Sequence, residues 1–155
     1  MPTIACLHTA AGNLAVLDAA CPPGGILRHT LDEALLRDAE AAGGLTPEIT
    51  ARTAGAPERL AEPGVDAVLL TCSTVGPGAA QARAAVPVLR GDAALAEQAT
   101  RGGGRVVVLC AAETTMEPTR GIFAEAASRT GAVALAEGRK PLASPPVGLA
   151  AALRA

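Results

Sequence analysis

Short, nearly continuous apolar runs alternate along this chain with longer Ala/Leu-rich stretches of mixed polarity. That alternation predicts strands and helices in turn. Residues 3–8 (TIACLH) read as an opening strand, and residues 10–20 as a helix that Pro22, Pro23, Gly24 and Gly25 stop. A second strand is expected over 26–30. Asp32 starts a helix that ends at the Gly43-Gly44 pair. Thr46 reads as an N-cap with Pro47 in the first turn, and the helix behind it runs toward Leu60 with a break near Gly55 and Pro57. Residues 65–72 (VDAVLLTC) are the strongest apolar run, the pattern of a parallel strand covered on both faces. A tight turn over 73–77, a helix over 78–85 and a strand over 86–90 follow. Next come a helix over 92–102, a second fully buried strand over 105–112 (RVVVLCAA), a loop over 113–119, a helix over 118–130 and a strand over 132–138. The tail predicts a turn and a terminal helix.

Strands separated by helices argue an α/β fold, a mainly parallel sheet flanked by helices, with right-handed crossovers. In such folds ligands sit beyond the carboxyl ends of the strands. Three segments occupy that edge: 8–13, 72–77 and 113–119.

The length of 155 residues fits one ordinary domain. Half the residues are apolar but only 1% are aromatic, Phe123 alone, so the core is expected to be built from Ala, Val, Leu and Ile. The net charge of −2, without a basic stripe or an aromatic platform, argues against nucleic-acid binding. No apolar run is long enough to span a bilayer, and no charged segment precedes an apolar one at the start, so the chain reads as soluble and cytoplasmic. The four cysteines, Cys6, Cys21, Cys72 and Cys110, form no C-x-x-C pair and are expected as free thiols. With two histidines, no metal site is expected. The patterns G-x-G-x-x-G, G-x-x-x-x-G-K-[ST] and G-x-S-x-G are absent, and no cofactor is implied.

The chemistry-bearing residues cluster at the expected ligand edge. Cys72 ends an apolar strand, and Gly76 and Pro77 turn the chain toward a helix, whose N-terminus can lower a thiol pKa. Ser73 and Thr74 beside it, with backbone N–H groups, can hold an anion. A buried structural cysteine before a polar turn explains the same residues equally well. Thr114 and Thr115 stand at the corresponding place after the strand over 105–112, either as a second anion site or as a helix cap. His8, Thr9 and Asn13 are lining candidates from the first strand's edge. A structural role is the expectation for His29, a core role for Cys6 and Cys110, and an exposed loop position for Cys21.

The segments DAVLLTCSTVGP, VPVLRGDAALAEQA and GGRVVVLCAAETTMEPT, with HTLDEALL upstream and KPLASPPVGLAAAL at the end, resemble the aspartate/glutamate racemase superfamily. TCST at a strand end is the most specific part. The resemblance, which extends to hydantoin racemases, maleate isomerases and arylmalonate decarboxylases, implies two similar Rossmann-like α/β halves with the site between them. It implies cofactor-independent proton transfer at the α carbon of a small carboxylate or amino acid. Cys72 matches the first-half cysteine, Ser73 and Thr74 the adjoining carboxylate-binding positions, and Thr114 and Thr115 the loop that opens the second half.

The resemblance divides the chain into a first half over 1–90 with the Cys72 site, a partial second half over 91–138 and a closing segment over 139–155. Gly138 is followed almost at once by Lys140 and Pro141, where full members carry a longer stretch with the second catalytic position. No cysteine follows Cys110. The second half is therefore expected to be internally shortened. Three outcomes stay open: one-base racemase, isomerase or decarboxylase chemistry through Cys72, a domain that binds a small carboxylate or amino acid without turnover, or a truncated relic with little activity. A homodimer would cover the surface such shortening exposes.

Overall fold

The computed structural model describes residues 1–138; the closing segment expected over 139–155 lies outside them. Four parallel strands form the first sheet: β1 (Thr3–His8), β2 (Ile26–Leu31), β3 (Ala67–Leu70) and β4 (Val88–Arg90). Their order is β2-β1-β3-β4, so β1 is central and the strand order reverses around it. Strands β5 (Arg105–Cys110) and β6 (Val133–Gly138) pair in parallel as a separate two-stranded sheet. The helices between them are α1 (Gly12–Ala20), α2 (Glu33–Ala41), α3 (Pro47–Leu60), α4 (Gly91–Thr100) and α5 (Met116–Thr130). This is the expected α/β arrangement of parallel strands flanked by helices. None of the described helices is long and apolar enough to cross a membrane.

Period-two alternation decides what each face of β1 meets. Leu7 joins Leu70, Leu35, Ala39, Ile49, Ala56, Val75 and Ala79 in one core under α2 and α3. Ala5 and Val68, on the same face, pack with Val65. Cys6 and His8 point the other way, toward α1. Behind α4 and α5, Ala96, Phe123 and Ala126 make a third cluster against Val106 and Val108. Local signals set the helix starts: Asp32 accepts from the Leu35 N–H at 3.3 Å and Thr46 from the Ile49 N–H at 3.2 Å.

Four expectations about the elements are corrected. Helix α3 runs unbroken through Gly55 and Pro57. Pro57 is buried there, and the packing of that face outweighs the hydrogen bond its missing N–H forgoes. The helix expected over 78–85 is a short 3-10 helix, Gly76–Gln81. It is pressed onto α3, where a Cβ at Gly78 would stand 2.9 Å from the Thr53 side chain. Helix α5 starts at Met116 rather than near 118, behind a 3-10 turn over Glu113–Thr115. Strand β5 is not buried on both faces: Val107 is 55% and Leu109 58% exposed, because among the described residues helices cover only one side of the β5–β6 pair. Val133 and Leu135 continue that exposed apolar face.

Candidate functional site

At the carboxyl end of the first sheet the chain leaves a cleft of about 600 Å³. Its walls come from both sheets' connections. Thr74 and Pro77 follow β3, and Arg90 closes β4. The α2–α3 loop contributes Gly43, Gly44 and Leu45, while Glu113, Thr114 and Glu117 come from the segment after β5. Gly43 and Gly44 both hold positive φ, 72° and 148°, which suits glycine and leaves Leu45 as that loop's side chain at the cleft. Thr74 is 1% exposed, and its hydroxyl lies 3.4 Å from that of Thr114. The two loops singled out in the sequence thus meet hydroxyl to hydroxyl across the cleft.

Among the described residues Arg90 supplies the cleft's cation, and the sequence reading missed it. Its guanidinium is held by Asp92 through two bonds, Nε at 3.0 Å and Nη2 at 2.5 Å. That fork uses two of five N–H donors and leaves the others for a ligand. Gly76 makes room for it: a Cβ there would stand within 2.5 Å of Nη2. Arg90 ends a predicted strand, so the rule that placed Cys72 and Thr114 at the ligand edge would have found it too. Glu113, just ahead of α5, and Glu117 and Glu125 on it also line the cleft, the last two paired with Arg120 and Arg129.

The other expected residues fall in different places. Cys72 lies two residues beyond β3, half-buried, and packs against the Leu7–Leu70 core. It and Ser73 are not among the residues lining the cleft. Thr115 stands at the N-cap position of α5, but its hydroxyl donates to the Ala112 carbonyl at 2.6 Å, away from both a capping role and the cleft. Cys6 and Cys110 are buried and Cys21 is half-buried; all four cysteines are free. Thr9 is buried. Asn13 sends its amide to the Thr71 hydroxyl at 3.3 Å and to the Thr71 carbonyl at 3.4 Å.

His8, fully buried, does not reach the cleft. Its Nδ1 lies 2.8 Å from the Thr71 hydroxyl and its Nε2 2.7 Å from His29 Nδ1. His29 Nε2 lies 2.9 Å from Asp18 on α1. Burial, reinforced by the neighbouring His29 and opposed by Asp18, holds His8 below the ordinary imidazole range. Burial, with Asp18 and Cys21 adding to it, pushes the Cys6 thiol up. The sulfur of Cys6 and ring nitrogens of His8 and His29 all lie within 4.8 Å of one another. The sequence reading, with two histidines 21 residues apart, did not bring them together.

No family model and no curated protein matches the sequence. Among solved structures, the chain is similar to an aspartate racemase of Picrophilus torridus, with a TM-score of 0.64 at 13% identity. The match covers 88% of this chain and 62% of that one. The likeness is one of fold, over a chain that spans less than two thirds of its neighbour's length.

Proposed function

We propose that the chain is an aspartate/glutamate racemase-like protein that takes a small amino acid or carboxylate into the cleft and moves a proton at its α carbon without a cofactor. The meeting of Thr74 and Thr114 beside Arg90 carries this reading. Two hydroxyls and a guanidinium with donors left over from its Asp92 fork line one cleft, the groups with which a carboxylate can be recognised. Glu113 favours a zwitterion over a dianion, since an ammonium group could face its carboxylate, whereas Glu117 is already paired with Arg120. Cys72 is the proposed base. As thiolate it takes the Cα proton, the freed electron pair delocalises into the adjacent carboxyl group, and the carbon recovers a proton from the thiol or from water. The shorter second half belongs to this proposal, as does a second copy of the chain closing the site.

A non-catalytic binding domain is the second reading. It is favoured by Cys72 standing outside the cleft lining. Deuterium incorporation at Cα, followed by NMR in D₂O, separates the two. The panel holds both enantiomers of aspartate and glutamate, hydantoins, maleate and an arylmalonate. Incorporation or turnover for any member supports the enzyme; a silent panel from folded protein sinks it and leaves the binding reading.

Gly76 tests the cleft itself under either reading. Gly76→Val drives a side chain into the space of the Arg90 guanidinium. Losing a charge-assisted hydrogen bond costs about 1.5–3 kcal/mol, so ligand affinity is expected to fall roughly 10- to 100-fold by calorimetry. Unchanged affinity would place the ligand elsewhere.

A further inference from the structure

The cluster under α1 takes no part in the cleft, and its geometry is that of a ligand set. Cys6 and His8 alternate onto the same face of β1, and β2 pairs in register so that His29 stands opposite Cys6. From these three positions we infer a binding site for a thiophilic divalent cation of the zinc class, held by Cys6 Sγ, His8 Nε2 and His29 Nδ1. The three ligand types fit such an ion, which takes thiolate and imidazole donors and leaves a fourth position to solvent.

The outer partners point the same way. Each histidine has its other ring nitrogen engaged: Asp18 binds His29 Nε2 at 2.9 Å and Thr71 binds His8 Nδ1 at 2.8 Å. Carboxylate and hydroxyl partners of this kind fix tautomer and ring orientation around metals. The inner nitrogens are thereby aimed at each other, 2.7 Å apart, with one proton between them. A tetrahedral ion needs its nitrogens about 3.3 Å apart with both lone pairs turned toward it, so the two rings open and tilt to admit it. The proton has somewhere to go. The Thr71 hydroxyl can turn to donate to the Leu7 carbonyl, 3.3 Å away, and accept from His8 Nδ1–H. That frees both inner lone pairs. Cys6 gives up its thiol proton to solvent as the S–metal bond forms, so one proton leaves per ion and no redox partner is needed.

The surroundings give the ion an approach and a task. Cys6 and His8 are fully buried, but the His29 side chain is 16% and that of Asp18 65% exposed, so the cluster reaches the surface at one end. Helix α1 has no buried residue, and Asp18–His29 and Asn13–Thr71 are polar ties between it and the sheet. An ion here would join β1 to β2 and, through Asp18, hold α1 in place.

The test titrates the reduced full chain with Zn²⁺ against a chromophoric chelator, and with Co²⁺ by absorption. One ion per chain is expected, with a thiolate-to-cobalt charge-transfer band and a raised Tm. Cys6→Ser should remove the band, His29→Gln should weaken Zn²⁺ binding at least 100-fold, and Asp18→Asn should weaken it roughly 10- to 100-fold. His29 is near the surface, so His29→Gln keeps the test decisive should Cys6→Ser fail to fold. Binding that survives His29→Gln, that follows Cys21→Ser or Cys72→Ser instead, or that is absent at micromolar Zn²⁺ overturns the site.

Discussion

Cys72→Ala is expected to lower Cα deuterium exchange by about 10²- to 10⁴-fold, the range a positioned general base contributes. Ligand affinity should change no more than a few-fold, because the cleft walls are Thr74, Thr114 and Arg90 rather than Cys72. That split between rate and binding distinguishes a base from a structural residue. Cys72 also packs against the main core, so a general loosening would weaken binding and stability along with exchange. Exchange that persists in Cys72→Ala would assign the proton transfer to another group. Thiol labelling gives an independent view: a bound ligand should protect Cys72 and leave Cys21 unaffected.

Leu7→Ala is expected to destabilise the fold by about 3–5 kcal/mol. Leu7 is 1% exposed on the central strand, between β2 and β3, and its side chain meets Leu35, Ile49 and Leu70 under two helices. Leu35, Ile49 and Leu70 around it are themselves buried and held by strand and helix backbones, and the single aromatic, Phe123, belongs to another cluster. The site therefore closes only in part when Leu7 is truncated, and a cavity remains. Set against a typical domain stability of about 5–15 kcal/mol, the loss should leave a marginal protein. Urea denaturation followed by circular dichroism measures it; a loss under about 1 kcal/mol would mean that the site collapses or is already loosely packed.

Local chemistry was legible in the sequence where it acts over three or four residues. Asp32 and Thr46 cap helices as their positions promised, and the apolar runs at β1, β3, β5 and β6 became strands. Burial was less legible, since RVVVLC reads the same whether one face or two are covered. Pro57 misled because a breaker's cost is local, whereas the packing that overrides it comes from other elements. The site divided along the same line. Thr74 and Thr114 followed from the strand-end rule, and Arg90 was within its reach but was not drawn from it. The joining of Cys6, His8 and His29 depends on the in-register pairing of β1 with β2, which periodicity within either strand does not encode.

The central position of β1 also governs how the chain assembles. Its pairing with β2 spans a single short helix, whereas its pairing with β3 closes a loop of some sixty residues, sealed where the Thr3 N–H meets Asp66 at 2.7 Å. Loop closure costs entropy before distant contacts return any stability, so the near edge of β1 is set to pair first. Until β3 arrives, the far edge presents unpaired backbone groups beside Ala5 and Leu7. A second chain in the same state offers the same edge. Refolding yield should therefore fall with protein concentration, and the competition that decides it is between a strand's own distant partner and its neighbour's copy.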